Sequence, residues 1–256
     1  MVSTPRGPGR LPFECQKCQM CADGLCQDCR PEFLRLLGKF KTRDRTLTAG
    51  SDLFTPGGPS DAIYYLLDGW VCLYKLLQDG RRQILHFALP GAVLGFPPSQ
   101  GGMSYSAQAL TDATVSVIPR NNLIGMFGEY PEFAMRIASL VSRDRSVAYE
   151  HLSSIGRRSG RQRVAHLILE LFVRSRMQWP GHDTEEMYLP LTQEHIGDTM
   201  GLTGVHVNRV LRVLRRERVL EFHYRRLRVL NPDKLVDAAG VDPQLIFLWI
   251  PRVTSD

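Results

Sequence analysis

Residues Leu191–Asn231, LTQEHIGDTMGLTGVHVNRVLRVLRRERVLEFHYRRLRVLN, read as a helix, a tight turn, a second helix and a two-stranded wing. The turn falls at Met200–Gly201–Leu202. Thr203 is a good N-cap for the second helix. Val207, Val210, Leu211 and Leu214 then recur at i, i+3, i+4 and i+7, a stripe that can pack inward. The other face carries His206, Asn208, Arg209, Arg212, Arg215 and Arg216. Donors at the start of such a helix can reach base edges in a major groove, and the arginines behind them can hold phosphates. The expected contacts with a double-stranded operator are Thr203, His206, Asn208, Arg209, Arg212 and Arg216.

Arginines on a helix surface are often only solvated, and helix–turn–helix shapes occur in proteins that touch no nucleic acid. Charge distribution favours the DNA reading. From Gly156 to Leu230 there are 14 arginines, no lysine and eight acids, an excess of six positive charges. The net charge of the whole 256-residue chain is +6, so the remainder is neutral. The basic excess sits where the motif sits, as phosphate binding requires.

The chain is long enough for two modest domains. A hydrophobic content of 43% and a charged content of 23% are ordinary for a globular protein. No apolar run reaches the ~18 residues of a membrane span. The N-terminus, MVSTPRGPGRLPFEC, lacks an apolar core segment of the secretory type. The expectation is a cytoplasmic protein with no membrane partner. His86, His166 and His195 stand outside any motif that pairs a histidine with a nucleophile or an orienting acid, so no enzyme is expected.

Four segments follow. Residues 1–30 form a cysteine-rich arm. Residues 31–120 are strand-rich, with runs Ala62–Leu67, Trp70–Leu77, Arg82–Leu89 and Thr114–Pro119. These are broken by Asp68–Gly69, Asp79–Gly80 and Pro90–Gly91, and Asp-Gly pairs between such runs are hairpin signals. Strands at this spacing suggest a small barrel or jelly roll. Residues 121–155 supply a long helix from Phe127 to Ile155. Its seam is Phe133, Ile137, Leu140, Val141, Val147, Ala148, Leu152 and Ile155, which suits a helix packed on its own domain or a dimer coiled coil. The dimer reading is preferred because two-fold symmetry presents two recognition helices to two half-sites. Its interface residues are Ile137, Leu140, Val141, Asp144 and Ala148. Residues 156–256 hold another helix, Gly156–Gln178, with Val164, Leu167, Ile168, Leu171 and Phe172 inward, then the reader, the wing and a tail containing QLIFLWIPR. The fold class is α+β: an N-terminal β-roll of jelly-roll type, a long dimerisation helix and a C-terminal winged helix–turn–helix.

This arrangement resembles the CRP/FNR family of bacterial transcription regulators over roughly residues 31–240. The stretches that carry the resemblance are YYLLDGWVCLYKLLQDGRRQILHFALPGAVLGF (Tyr64–Phe96), ATVSVIPR (Ala113–Arg120) and LTQEHIGDTMGLTGVHVNRVLRVLRRERVL (Leu191–Leu220). The roll is then similar to a cyclic-nucleotide-binding domain. The resemblance puts the family's base-reading arginine on Arg209, suited to guanine O6 and N7. It puts the usual acidic reader on Val205, so that contact is lost, and His206 and Asn208 become the nearest alternatives. Family members that bind cyclic nucleotides use a Gly-Glu pair and an Arg-Ser pair late in the roll. The matching stretch, GAVLGFPPSQGGMSYSA (Gly91–Ala107), has neither Glu nor Arg, and a buried phosphate without a cationic partner is costly. No cyclic nucleotide is expected. For an activator, RNA polymerase is a further expected partner, with loops Asp79–Arg82 and Gln178–Glu186 as candidate surfaces.

Cys15, Cys18, Cys21, Cys26 and Cys29 lie within fifteen residues. Such density in a reducing compartment reads as metal binding rather than disulfides. The pattern Cys15-x2-Cys18-x7-Cys26-x2-Cys29 is similar to the arm of FNR-type oxygen sensors, which implies a [4Fe–4S] cluster on thiolates. The resemblance puts three ligands on Cys15, Cys18 and Cys26 and the fourth on Ser116, which is no thiolate. Cys29 is the first replacement and Cys21 the next, whereas Cys72, between Val71 and Leu73, suits a small apolar role. A structural zinc site and free redox-reactive thiols remain alternatives.

Asp144 falls on or beside the helix seam. It is either a surface acid screened by Arg143 or Arg145, or a carboxylate near the two-fold axis that repels its own copy and weakens the dimer until a cluster assembles.

Overall fold

The computed structural model describes residues 38–58, 61–96, 102–178 and 186–242. The five cysteines of the arm, the tail sequence QLIFLWIPR and most of the Gln178–Glu186 loop lie outside these residues.

Eight strands make two four-stranded sheets. One has the order β1 (Arg43–Leu47), β8 (Ala113–Pro119), β3 (Ala62–Asp68), β6 (Val93–Leu94). The other runs β2 (Asp52–Phe54), β7 (Ser106–Ala109), β4 (Val71–Leu76), β5 (Arg82–Ala88). Leu47, Leu53, Leu66, Val71, Ala107 and Val115 fill the space between the sheets. The outer faces are covered as well. Ile63, Tyr65 and Ile118 pack outward with Phe133, Ile137 and Leu140, whereas Cys72, Ile84 and Phe87 join the core of the DNA-binding unit. Strands buried on both faces need apolar residues at successive positions, which is why AIYYLL does not alternate.

The expected β-runs are observed nearly as read. The Asp79–Gly80 hairpin joins β4 to β5, with Gly80 at φ +81°. Asp68–Gly69 is different, because it carries the chain from β3 in one sheet to β4 in the other. Gly69 has φ +87°, and a Cβ there would lie 2.4 Å from the Asp112 carbonyl oxygen. Glycine is required at a sheet-to-sheet corner, not in a hairpin.

The expected helix Phe127–Ile155 is two helices. Helix α1 (Arg120–Glu129) ends at Tyr130, and α2 (Pro131–Arg157) begins with proline in its first turn, where its missing N–H costs nothing. The next helix, α3 (Gly160–Gln178), starts four residues later than expected, because Gly156 and Arg157 finish α2. Val164, Leu167, Ile168, Leu171 and Phe172 are buried as expected.

The seam on α2 also divides. Phe133, Ile137, Leu140, Val147, His151 and Ser154 form one stripe, buried against the same chain. Val141, Ala148 and Leu152 lie on an adjacent exposed stripe, with Leu152 70% exposed. Neighbouring residues on a helix differ by about 100° in direction, so Leu140 and Val141 cannot share a face. Of the five residues expected at a dimer interface, Ile137 and Leu140 belong to the chain's own core, and Val141 and Ala148 face outward. Asp144 lies on the inward stripe. Its carboxylate is 3.8 Å from His86 Nε2 on β5 and 3.9 Å from Arg143 Nε. Within the chain it thus meets Arg143, one of the two arginines expected to screen it.

Candidate nucleic-acid interface

Helix α4 (Gln193–Met200) begins at a capping box. Thr192 Oγ1 accepts from the His195 backbone N–H at 3.1 Å, and the Thr192 N–H donates to His195 Nδ1 at 3.3 Å. His195 is therefore a structural cap. Burial and the Arg82 cation hold its pKa down to about 4. The helix ends on Gly201 in the left-handed region, φ 64°. Gly197 lets the turn close, since a Cβ there would meet the Leu202 carbonyl oxygen at 2.5 Å.

Helix α5 (Gly204–Arg216) starts at Thr203, whose hydroxyl accepts from the His206 N–H at 3.3 Å. Val207, Val210, Leu211 and Leu214 are all buried, and His206, Arg209, Arg212, Arg215 and Arg216 are exposed. Apolar side chains thus fix the rotation of α5, and its polar face is what remains outside. Two expected contacts are tied locally. The Asn208 amide donates to Gln193 Oε1 at 3.0 Å, joining α5 to the start of α4. His206 lies over Gly160, where a Cβ would come 2.4 Å from its Nε2. Val205, in the first turn, is 74% exposed.

Strands β9 (Glu186–Tyr188), β10 (Leu220–His223) and β11 (Arg226–Val229) form the wing, in the order β10-β11-β9. A closing helix, α6 (Pro232–Ala239), is capped by Asn231.

The sequence reading missed how the roll meets the reader. Arg82 on β5 pairs with Asp198 on α4 at 2.8 Å, and the Gln83 amide donates to the Thr199 carbonyl oxygen at 3.0 Å. Beneath them lies a buried charged chain. His151 on α2 meets Glu170 on α3 at 2.5 Å, and Arg174 donates to the other Glu170 oxygen at 2.8 Å. Arg174 also donates to the Phe87 carbonyl oxygen at 2.8 Å and contacts His86 at 3.3 Å. Burial alone would raise the Glu170 carboxyl, but His151 and Arg174 outweigh it and hold the group below the usual carboxylate range. Burial would lower His151, and Glu170 reverses that, raising it. Burial and the Arg174 cation lower His86 to about 4. The available signal was His166, Glu170 and Arg174, three polar residues at successive i+4 spacing on the buried side of α3.

Ser116, expected at a ligand position, is buried and donates to Asp44 Oδ1 at 2.6 Å. Cys72 is fully buried, and burial pushes its thiol up to about 11. Among the described residues no group of three or more His, Cys, Asp or Glu could hold a metal ion. No helix among them is long and apolar enough to cross a membrane.

Residues 44–130 match the cyclic nucleotide-binding domain, and residues 162–238 match the Crp-like helix-turn-helix domain. The transcriptional activatory protein AadR of Rhodopseudomonas palustris is 34% identical over 182 residues, 71% of this chain and 75% of that protein. The chain belongs to the Crp/FNR family of transcription regulators. Another member, the nitrogen fixation regulation protein FixK of Bradyrhizobium diazoefficiens, is 30% identical over 86% of this chain and 92% of its own length. The structure of FixK2 from Bradyrhizobium japonicum superposes with a TM-score of 0.70 at 27% identity, covering 78% of this chain and 98% of that one. As a Crp/FNR regulator the chain is a DNA-binding protein and not an enzyme, which agrees with His86, His166 and His195 serving packing and capping.

Proposed function

We propose that this Crp/FNR regulator binds a two-fold symmetric operator as a homodimer and reports oxygen or redox state through a [4Fe–4S] cluster on its N-terminal arm. The observation that carries the DNA reading is the rotation of α5: four buried aliphatic residues lock it, leaving Arg209, Arg212 and Arg216 exposed. Arg209, in the second turn, reads a guanine, and Arg212 and Arg216 hold phosphate. Exposed Val205 supplies the apolar contact that suits a thymine methyl. The dimer forms through the outward stripe of α2, Val141, Ala148 and Leu152, so that two copies of α5 meet successive major grooves.

The thiolates of Cys15, Cys18, Cys26 and Cys29 fit a cluster in type and number. Ser116 gives its hydroxyl to Asp44, and Cys72 lies within the core. Both observations favour a fourth ligand from the arm itself, Cys29 or Cys21. A structural zinc on the same four cysteines is the second reading, favoured by the paired CxxC spacing. The roll takes no cyclic nucleotide, because its segment Gly91–Ala107 offers no cation for the phosphate.

The test is the visible spectrum, iron, sulfide and zinc content of protein purified without oxygen, followed by DNA binding before and after air. About four iron and four sulfide per chain, lost in air together with operator binding, is the expected result. A colourless protein with about one zinc and oxygen-indifferent binding would establish the zinc reading instead. Arg209→Ala should relax discrimination at one base pair by about tenfold, with a smaller loss on random DNA. Equal losses on both would reduce Arg209 to a phosphate contact.

A further inference from the structure

The closing helix α6 borders a groove of about 550 Å³ on the DNA-binding unit. Val219 and Ala238 are the buried part of its lining. Arg161 and Gln162 come from the first turn of α3, Asp237 from α6, and Glu217 from the end of α5. Arg161 donates to Glu217 at 3.2 Å, so the groove is framed where the last turn of the reader helix meets α3. The chain leaves α6 beside this groove. Gly240 closes the helix at φ 62°, and a Cβ there would lie 2.7 Å from Gln162 Nε2. Val241 then packs into the core of the unit.

The sequence beyond Asp242 is Pro243, Gln244 and then LIFLWI, Leu245–Ile250. Six consecutive large apolar residues are too few to span a membrane, and left in water they form an adhesive patch. An extended chain advances at most about 3.6 Å per residue, so Leu245 lies within roughly 11 Å of Asp242. The run therefore starts beside the groove of its own chain. A tether this short gives it an effective concentration of about a millimolar there, against which a separate partner must compete.

The chemistry matches. The stems of Arg161 and Gln162 add methylene surface to that of Val219 and Ala238, which suits aliphatic and aromatic side chains. Trp249 carries an N–H that needs an acceptor when buried, and Arg252, just past the run, is a cation. Asp237, exposed in the groove, offers a carboxylate to either. We infer that Leu245–Ile250 docks in this groove on its own chain, as a strap that ties the end of α5 to α3 and α6. The strap is independent of the oxygen-sensing reading.

The experiment uses the full-length protein. Leu248→Ser with Trp249→Ser removes the two largest contacts without touching the groove. Hydrogen exchange of α6 amides, followed by mass spectrometry, should become about tenfold faster in that variant. Phe247→p-benzoylphenylalanine, irradiated in the purified protein, should cross-link within one chain to Val219 or to α6. Unchanged α6 exchange in the double-serine variant would overturn the strap. Cross-linked pairs of chains would assign the groove to the tail of a second copy and overturn it too. A cross-link elsewhere on the same chain would place the run on another surface, and no cross-link would leave the groove to a separate partner; either result refutes the inference.

Discussion

Replacing Glu170 by glutamine removes one negative charge from a site that is 1% exposed. The shape is kept, and the amide oxygen can still accept from Arg174. His151 and Arg174 lose their shared counter-charge, at 2.5 and 2.8 Å in the parent. Removing one partner of a buried pair costs about 3–5 kcal/mol, because the remaining charge stays desolvated. The retained hydrogen bond places this case near the lower figure, a fall in melting temperature of roughly 6–12 °C. The pH dependence should change too. Glu170 is held below its unfolded pKa, so its contribution is present above about pH 4.5 and is lost as pH falls through the folded value. His151 is raised, so its contribution is full below about pH 6.5 and is lost as pH rises through its folded value. In Glu170→Gln burial keeps His151 neutral, and the loss on the alkaline side should vanish. Thermal and urea denaturation from pH 5 to 9 (roughly, the range over which these groups matter) is the assay. A triple apolar variant, His151→Leu, Glu170→Leu and Arg174→Met, should recover most of the loss. A Glu170→Gln protein within about 1 kcal/mol of the parent and with the parent's pH profile would refute the ionic account.

Other outcomes follow from the same structure. Thr203→Ala removes the cap on α5 and should cost about 1 kcal/mol, read by urea denaturation. Leu152→Asp tests the proposed dimer: a charge on the outward stripe of α2 should give a monomer in sedimentation, while leaving the fold intact by circular dichroism. Gly69→Ala should destabilise by about 1–3 kcal/mol, since its Cβ would meet the Asp112 carbonyl at 2.4 Å in a left-handed backbone. His86, held down to about 4, binds its proton more weakly folded than unfolded. Stability should therefore fall as pH drops from about 6.5 towards 4, and His86→Gln should flatten that slope.

The DNA-binding unit was legible because its signals are local. A glycine at the turn, a threonine cap and a four-residue apolar stripe each act within a few residues, and together they fix the rotation of α5. The strands were legible for a similar reason, as β-prone runs between turn dipeptides. The same rules failed at Asp68–Gly69, since a local Asp-Gly signal cannot distinguish a hairpin from a crossing between sheets. They failed again on α2, where apolar residues one position apart were grouped into one seam although a helix turns them to different faces.

The sequence by itself determined the element types, the reader helix with its outward arginines, and the cysteine spacing of the arm. These depend on residue identity and on periods of two and 3.6. The tertiary structure alone decided which stripe of α2 is buried, that Asp144 turns to His86, and that His151, Glu170 and Arg174 share one buried site. It also showed that Ser116 spends its hydroxyl on Asp44 and that two residues with side chains hold the left-handed turn at the wing tip. Such facts depend on contacts between residues far apart in the chain, 88 positions for Arg174 and His86 and 116 for Arg82 and Asp198. No local period or turn signal records such a pairing; it exists only once the roll, the long helix and the reader pack together.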